Sequence, residues 1–171
     1  MKKIVLVIAL LGLVGCDIFK SSQEKLFDLK DLSRLELENI DNFWDTDSLE
    51  YDDNLYFDYF SSYMGGIELK GMKKRIVVSV FKSQRSAIRA MEGRRNMVAA
   101  VIVAGGKHEL IKGKWWFTDN IPNGVFVNQW NTIVEVSYYH TDFEQIIAML
   151  IVTAAEIARR IDSLSHEYFA F

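Results

Sequence analysis

Three histidines and one aspartate carry the spacing that acid–base or metal chemistry would need. His108 stands beside Glu109, His140 stands two residues before Asp142, and His166 stands beside Glu167. A hydrolase would take its base from His108 or His140 and its orienting carboxylate from Asp142, if the fold brought them together. A metal centre asks for two or three ligands at short spacing, such as two histidines four apart on one helix face. No such pair occurs in the chain, so neither a metal nor a cofactor is expected. There is no Gly-x-Ser-x-Gly elbow. The stretch "AGGKHELIKGK", Ala104 to Lys114, has glycines but lacks the phosphate-loop spacing and its Ser/Thr. Asp52 and Asp53 form a carboxylate pair inside a generally acidic stretch, where a pair alone says little.

Aromatic residues suggest binding instead. Trp115, Trp116, Phe117, Phe126, Trp130, Tyr138 and Tyr139 fall within one 25-residue stretch. Neighbours on a strand point to opposite faces. One of Trp115 and Trp116, and one of Tyr138 and Tyr139, is therefore expected at a surface. There it would serve as a platform for a sugar, a peptide or an apolar ligand, or else pack beneath a helix or the N-terminal segment. Lys73, Lys74 and Arg75 add a basic turn that could face anionic lipid or sugar, or simply be solvated. The candidate ligand-binding set is thus Trp115, Trp116, Tyr139, Lys73, Lys74 and Arg75. The net charge of −3 argues against a nucleic-acid partner.

The sole cysteine lies in "LLGLVGCDIF", Leu10 to Phe19. Lys2 and Lys3 precede an apolar run from Ile4 to Val14, the pattern of a secretion signal and too short to span a bilayer. Leu13-Val14-Gly15-Cys16 resembles the lipobox of bacterial lipoproteins. The resemblance implies that residues 1–15 are removed and that Cys16 is acylated as the first residue of the mature chain. Two or more acyl chains hold a protein firmly to a membrane. Acylation would also exclude thiolate chemistry, since no second cysteine remains. The implied location is the cell envelope, with the choice of membrane open. "KGKWWFTDNIPNGVFVNQWNTIVEV" followed by "AAEIARRID" is similar to stretches of uncharacterised bacterial lipoproteins, a likeness that brings no activity with it.

The elements that must position these residues repeat. At a shift of 58 positions, Gly66 to Met91 lies over Gly124 to Met149 without a gap. Each copy reads as two extended runs joined by a polar turn, then a helix. Ser83 caps the first helix and Thr141-Asp142-Phe143-Glu144 forms a capping box for the second. The first helix is expected to run from Gln84 to a stop at Gly105-Gly106, and the second carries one apolar stripe from Phe143 to Ile161. Lys114 to Thr118 offers one more strand. Leu55 to Met64 reads as a strand or a short helix, and Leu26 to Ile40 as an amphipathic helix or a late-packing tether.

The expected fold is α+β: an antiparallel sheet from two hairpin–helix units with both helices on one face, Ile88 and Ile146 facing the sheet together, as do Met91 and Met149. The expected organisation is a signal peptide over 1–15, an acidic tether or partly packed segment over 16–50, and one domain over 51–171. Three function classes fit: a membrane-anchored, non-catalytic module that binds an envelope protein or glycan, an envelope hydrolase using His108, His140 and Asp142, and a passive structural lipoprotein.

Overall fold

The computed structural model describes residues 23–40, 50–52, 62–101, 110–111, 115–118, 123–139 and 143–169. In chain order these form β1 (Gln23–Leu26), two 3-10 segments (Leu29–Leu35 and Leu37–Asn39), β2 (Glu50–Asp52), β3 (Tyr63–Lys70) and β4 (Lys74–Phe81). Then follow α1 (Gln84–Val101), β5 (Leu110–Ile111), β6 (Trp115–Thr118), β7 (Asn123–Gln129), β8 (Thr132–Tyr138), α2 (Phe143–Leu164) and β9 (His166–Phe169). Strands β2 to β8 make one seven-stranded sheet in the order β2-β3-β4-β8-β7-β6-β5, with every pairing antiparallel. Strands β1 and β9 pair as a separate antiparallel ribbon. The fold is α+β.

The two hairpin–helix units are present at the expected offset: β3, β4 and α1 in one, β7, β8 and α2 in the other. The hairpins lie back to back, with β4 paired to β8. Val77 sits opposite Glu135, which is its own counterpart at the 58-residue shift. The Ser83 cap forms as expected, with the Ser86 amide donating to its hydroxyl at 3.1 Å. The Thr141 capping box and the Gly105-Gly106 stop lie outside the described residues, as does most of Leu55 to Met64.

The expectation of both helices on one face is corrected. Val125 and Val127 join Ile76, Val78, Val80, Val134 and Val136 in a core with Leu150, Ala154, Ile157, Ala158 and Ile161 of α2. Phe81, Phe126 and Ile133 instead pack with Ala87, Ala90 and Met91 of α1. Val78 pairs with Val134 and Ser79 with Ile133, so alternation along the strands places the two clusters on opposite faces. The reason is that β4 and β8 bury both faces. With helices on one side only, Phe81, Phe126 and Ile133 would be left in water. Ile88 consequently points outward, at 41% exposure, while Ile146 packs against the larger core. Met91 is buried and Met149 half-buried.

The core also extends before residue 51. Phe27, Leu32, Leu35 and Leu37 belong to the α2-side cluster. No single helix runs from Leu26 to Ile40, because the chain breaks at Glu36, whose φ is 48°. Arg160 holds that break by donating to the carbonyls of Leu35 (2.6 Å) and Glu36 (3.0 Å). Asn131 fastens the segment to the β7–β8 turn. Its side-chain oxygen accepts from the Phe27 amide at 2.6 Å, and its amide group donates to Phe27 (3.0 Å) and Phe81 (2.7 Å) carbonyls. Trp130, in the same turn, has a φ of 52°, a conformation that costs a non-glycine residue about 1–2 kcal/mol. Its indole donates to Asp162 at 2.7 Å, and the Lys25 ammonium lies 5.5 Å from its ring centre. Among the described residues no helix is long and apolar enough to cross a membrane.

Candidate functional site

The β3–β4 turn and the end of β8 converge at one end of the sheet. The Gly71 amide donates to the Lys74 carbonyl at 2.8 Å and closes the turn. The Tyr139 amide donates to the Lys73 carbonyl at 2.7 Å, and Lys74 stands opposite Tyr138. Lys73, Lys74 and Tyr139 are thereby brought together. Met72 at the apex is 87% exposed, Lys70 and Lys73 are exposed, and Tyr139 is 38% exposed. Among the described residues this end of the sheet thus carries Met72 beside Lys70, Lys73 and Lys74, with Tyr139 next to them.

Arg75 leaves that surface. Its guanidinium turns onto the α1 face, where Nε pairs with Glu68 and Nη1 with Glu135 at 2.8 Å. Burial opposes its positive charge, but Glu135 and Glu68 more than offset this and raise its pKa above the ordinary arginine value. Arg94 of α1 pairs with the second oxygen of Glu135 at 2.6 Å and lies 5.2 Å from the Phe126 ring centre. Glu68, Val77, Glu135 and Phe126 form one row across four strands. Both carboxylates are buried, so two acids and two guanidiniums neutralise one another beneath the helix. Such a cluster fixes the position of α1 and of the β3–β4 hairpin. Its carboxylates are held by cations rather than aimed at a reacting group. Among the described residues the Ser79 hydroxyl, buried nearby opposite Gly66, has no hydrogen-bond partner.

Sequence reasoning missed Glu68, Arg94 and Glu135. The available signal was Glu135 within "TIVEVSY": a charge in the middle of a strand that buries both faces needs a counter-ion.

The backbone of Trp115 and Trp116 lies in β6, opposite Val127 and Phe126, with β7 standing between β6 and β8. The pair is therefore not adjacent to Tyr139 in the sheet. His166 contacts Asp31, Nε2 to Oδ2 at 3.3 Å, and Arg34 holds the other oxygen of that buried aspartate at 2.8 Å. This arrangement ties β9 to the first 3-10 segment. His108, His140, Asp142 and Cys16 lie outside the described residues. Among the described residues no group of three His, Cys, Asp or Glu could hold a metal ion. Comparison with protein-family models, with curated proteins and with solved structures returned no match.

Proposed function

We propose that this chain is a bacterial lipoprotein, anchored in the cell envelope through acylated Cys16, and that it works as a non-catalytic binding module. The observation that carries the binding reading is the division of its charges. Arg75 and Arg94 are consumed by Glu68 and Glu135 inside the fold, whereas Lys73 remains at an exposed tip with Met72 and Tyr139. A basic, partly apolar turn among the described residues suits recognition of a partner better than catalysis, which would require a nucleophile, a base and an orienting group in one cleft. The anchor reading rests on the lipobox resemblance and on the position of the sole cysteine.

The test is crosslinking in intact envelopes, combined with metabolic labelling by palmitate. Wild type should take up label and capture a partner. Cys16→Ser should take up none, and Lys73→Glu should take up label but lose the partner. Labelling of the serine variant would overturn the anchor. Unchanged crosslinks in both Lys73→Glu and Tyr139→Ala would overturn the binding surface.

A further inference from the structure

We infer that the Cys16 anchor holds one end of the sheet at the bilayer and presents the β3–β4 turn away from it, so that the partner is met from the aqueous side and is no component of the anchoring leaflet; this rests on the reading of Cys16 as the anchor and of the turn as a binding surface. Strand β1, the first described element after Cys16, is fastened at three points to three different elements. Glu24 accepts from the Gln84 amide at the start of α1. Lys25 donates to the Asp162 carbonyl at 3.0 Å and pairs with the Asp162 carboxylate at 3.3 Å, near the end of α2. The Phe27 amide donates to Asn131 in the β7–β8 turn, and Asn131 donates to the Phe81 carbonyl at the end of β4. Strand β9 adds its pairing along Gln23 to Leu26. The chain therefore leaves toward Cys16 from a firmly held origin beside Gln84 and Phe81.

The β3–β4 turn lies at the other end of the same strand. Strand β4 starts at Lys74, next to the turn, and ends at Phe81; its eight residues span roughly 26 Å. Strand β8 runs back over that span, from Thr132 beside Asn131 to Tyr138 opposite Lys74. The seven residues from Cys16 to Ser22 reach at most about 25 Å when fully extended.

These two lengths decide the orientation. Turning the domain over, with the β3–β4 turn against the lipid, would need the lead to run the length of β4 fully stretched. Each residue so fixed loses conformational entropy. Lying flat brings the turn only level with the tethered end. Every other orientation that the bilayer permits holds the turn farther out than the start of α1. Met72, Lys73 and Tyr139 are thus offered to the aqueous space.

The experiment measures that order of distances. Acylation occupies the native thiol, so an introduced cysteine is the sole free thiol of the chain. Acylated protein carrying Met72→Cys, Lys70→Cys or Lys82→Cys, each at an exposed position, is labelled with a donor fluorophore. It is then reconstituted into phosphatidylcholine vesicles that carry a short-range acceptor on the headgroup. The Lys82 label should lose most of its emission to the acceptor, and the Met72 and Lys70 labels little. The Lys70 variant keeps Met72 in place, so the reading does not depend on removing it. Equal transfer from all three, or stronger transfer from the turn, overturns the inference. A photocrosslinker at position 72 that yields a lipid adduct in envelopes overturns it too. If either occurs while Lys73→Glu abolishes an envelope crosslink, the orientation falls and the binding surface stands. If the order of distances holds but neither Lys73→Glu nor Tyr139→Ala changes a crosslink, the binding surface falls instead, and the partner assignment with it. A chain that takes up no palmitate overturns the anchor and the orientation together.

Discussion

On the α2 side of the sheet, Ile76, Val78 and Val80 of β4 meet Leu150, Ala154, Ile157 and Ile161, with Leu35 and Leu37 closing the layer. On the α1 side the same strand offers Arg75, Val77 and Ser79, and the helix above answers with Ala87, Ala90, Met91 and Arg94. One face is mostly hydrocarbon, with Thr132 and Thr153 buried among it; the other is a small apolar cluster beside a neutralised ion cluster. The difference separates two jobs. Apolar burial gives most of the folding free energy but is nondirectional. A buried ion pair adds little net stability, yet it admits few geometries. The α2 face therefore holds the fold together, and the α1 face sets where α1 and the β3–β4 hairpin sit.

The largest expected effect is on the hydrocarbon face. Ile157→Ala, at a fully buried position in α2, should lower unfolding free energy by about 2–5 kcal/mol in urea titration. Met91→Ala, in the smaller cluster under α1, should cost about 2 kcal/mol. Equal losses at the two sites would break the comparison.

The next effect is electrostatic. Glu135→Gln removes the carboxylate that Arg75 and Arg94 share and should cost about 2–3 kcal/mol, near the low end for a broken buried pair because both arginines keep some solvent contact. Exchanging Glu135 and Arg94 together for apolar residues should cost less than the sum of the single changes, as a double-mutant cycle reads directly. A strictly additive cycle would mean that the pair does not position α1.

The same contrast explains what could be read from the chain. Both hairpin–helix units were legible, because extended runs, polar turns and the Ser83 cap are local signals. The face each helix takes was not. Strands β4 and β8 are buried on both faces at nearly every position, so burial itself does not alternate with a period of two. The choice depends on matching across the fold. The wide stripe of α2, from Ile146 to Ile161, suits the mostly aliphatic face, and the narrower apolar set of α1 suits the face that carries Arg75, Ser79 and Glu135. Of the candidate site, the convergence of Lys73 with Tyr139 follows from the start of β4 pairing with the end of β8. The departure of Arg75 does not, since it depends on Glu68 and on Glu135, which lies 60 residues away. The 3-10 segments were equally hidden: Leu32, Leu35 and Leu37 have spacing compatible with a helix, and the break at Glu36 is held by Arg160 from the far end of the chain.

The smallest effect sharpens the contrast at the rim of the α2 face. Glu156 accepts hydrogen bonds from Arg159 at 2.8 and 2.9 Å and from Arg160 at 2.9 Å. Those bonds, Arg159 first and then Arg160, bring its pKa from the ordinary 4.5 down to about 2. A carboxylate whose pKa is lower in the folded state contributes its full stabilisation above the unfolded value, and loses it as pH falls through the folded one. The group is partly solvated, so the contribution is that of a surface pair, about 0.5–1 kcal/mol. Glu156→Gln should therefore be less stable than wild type by that amount at pH 7. The gap should close between pH 4.5 and pH 2, as wild-type Glu156 itself takes up a proton. Arg160 stays charged throughout and keeps its bonds to Leu35 and Glu36, so the N-terminal segment should remain docked in both proteins. A gap that persists unchanged to pH 2 would show that the glutamine disturbs packing rather than charge, and would place Glu156 with the hydrocarbon face instead of at its solvated rim.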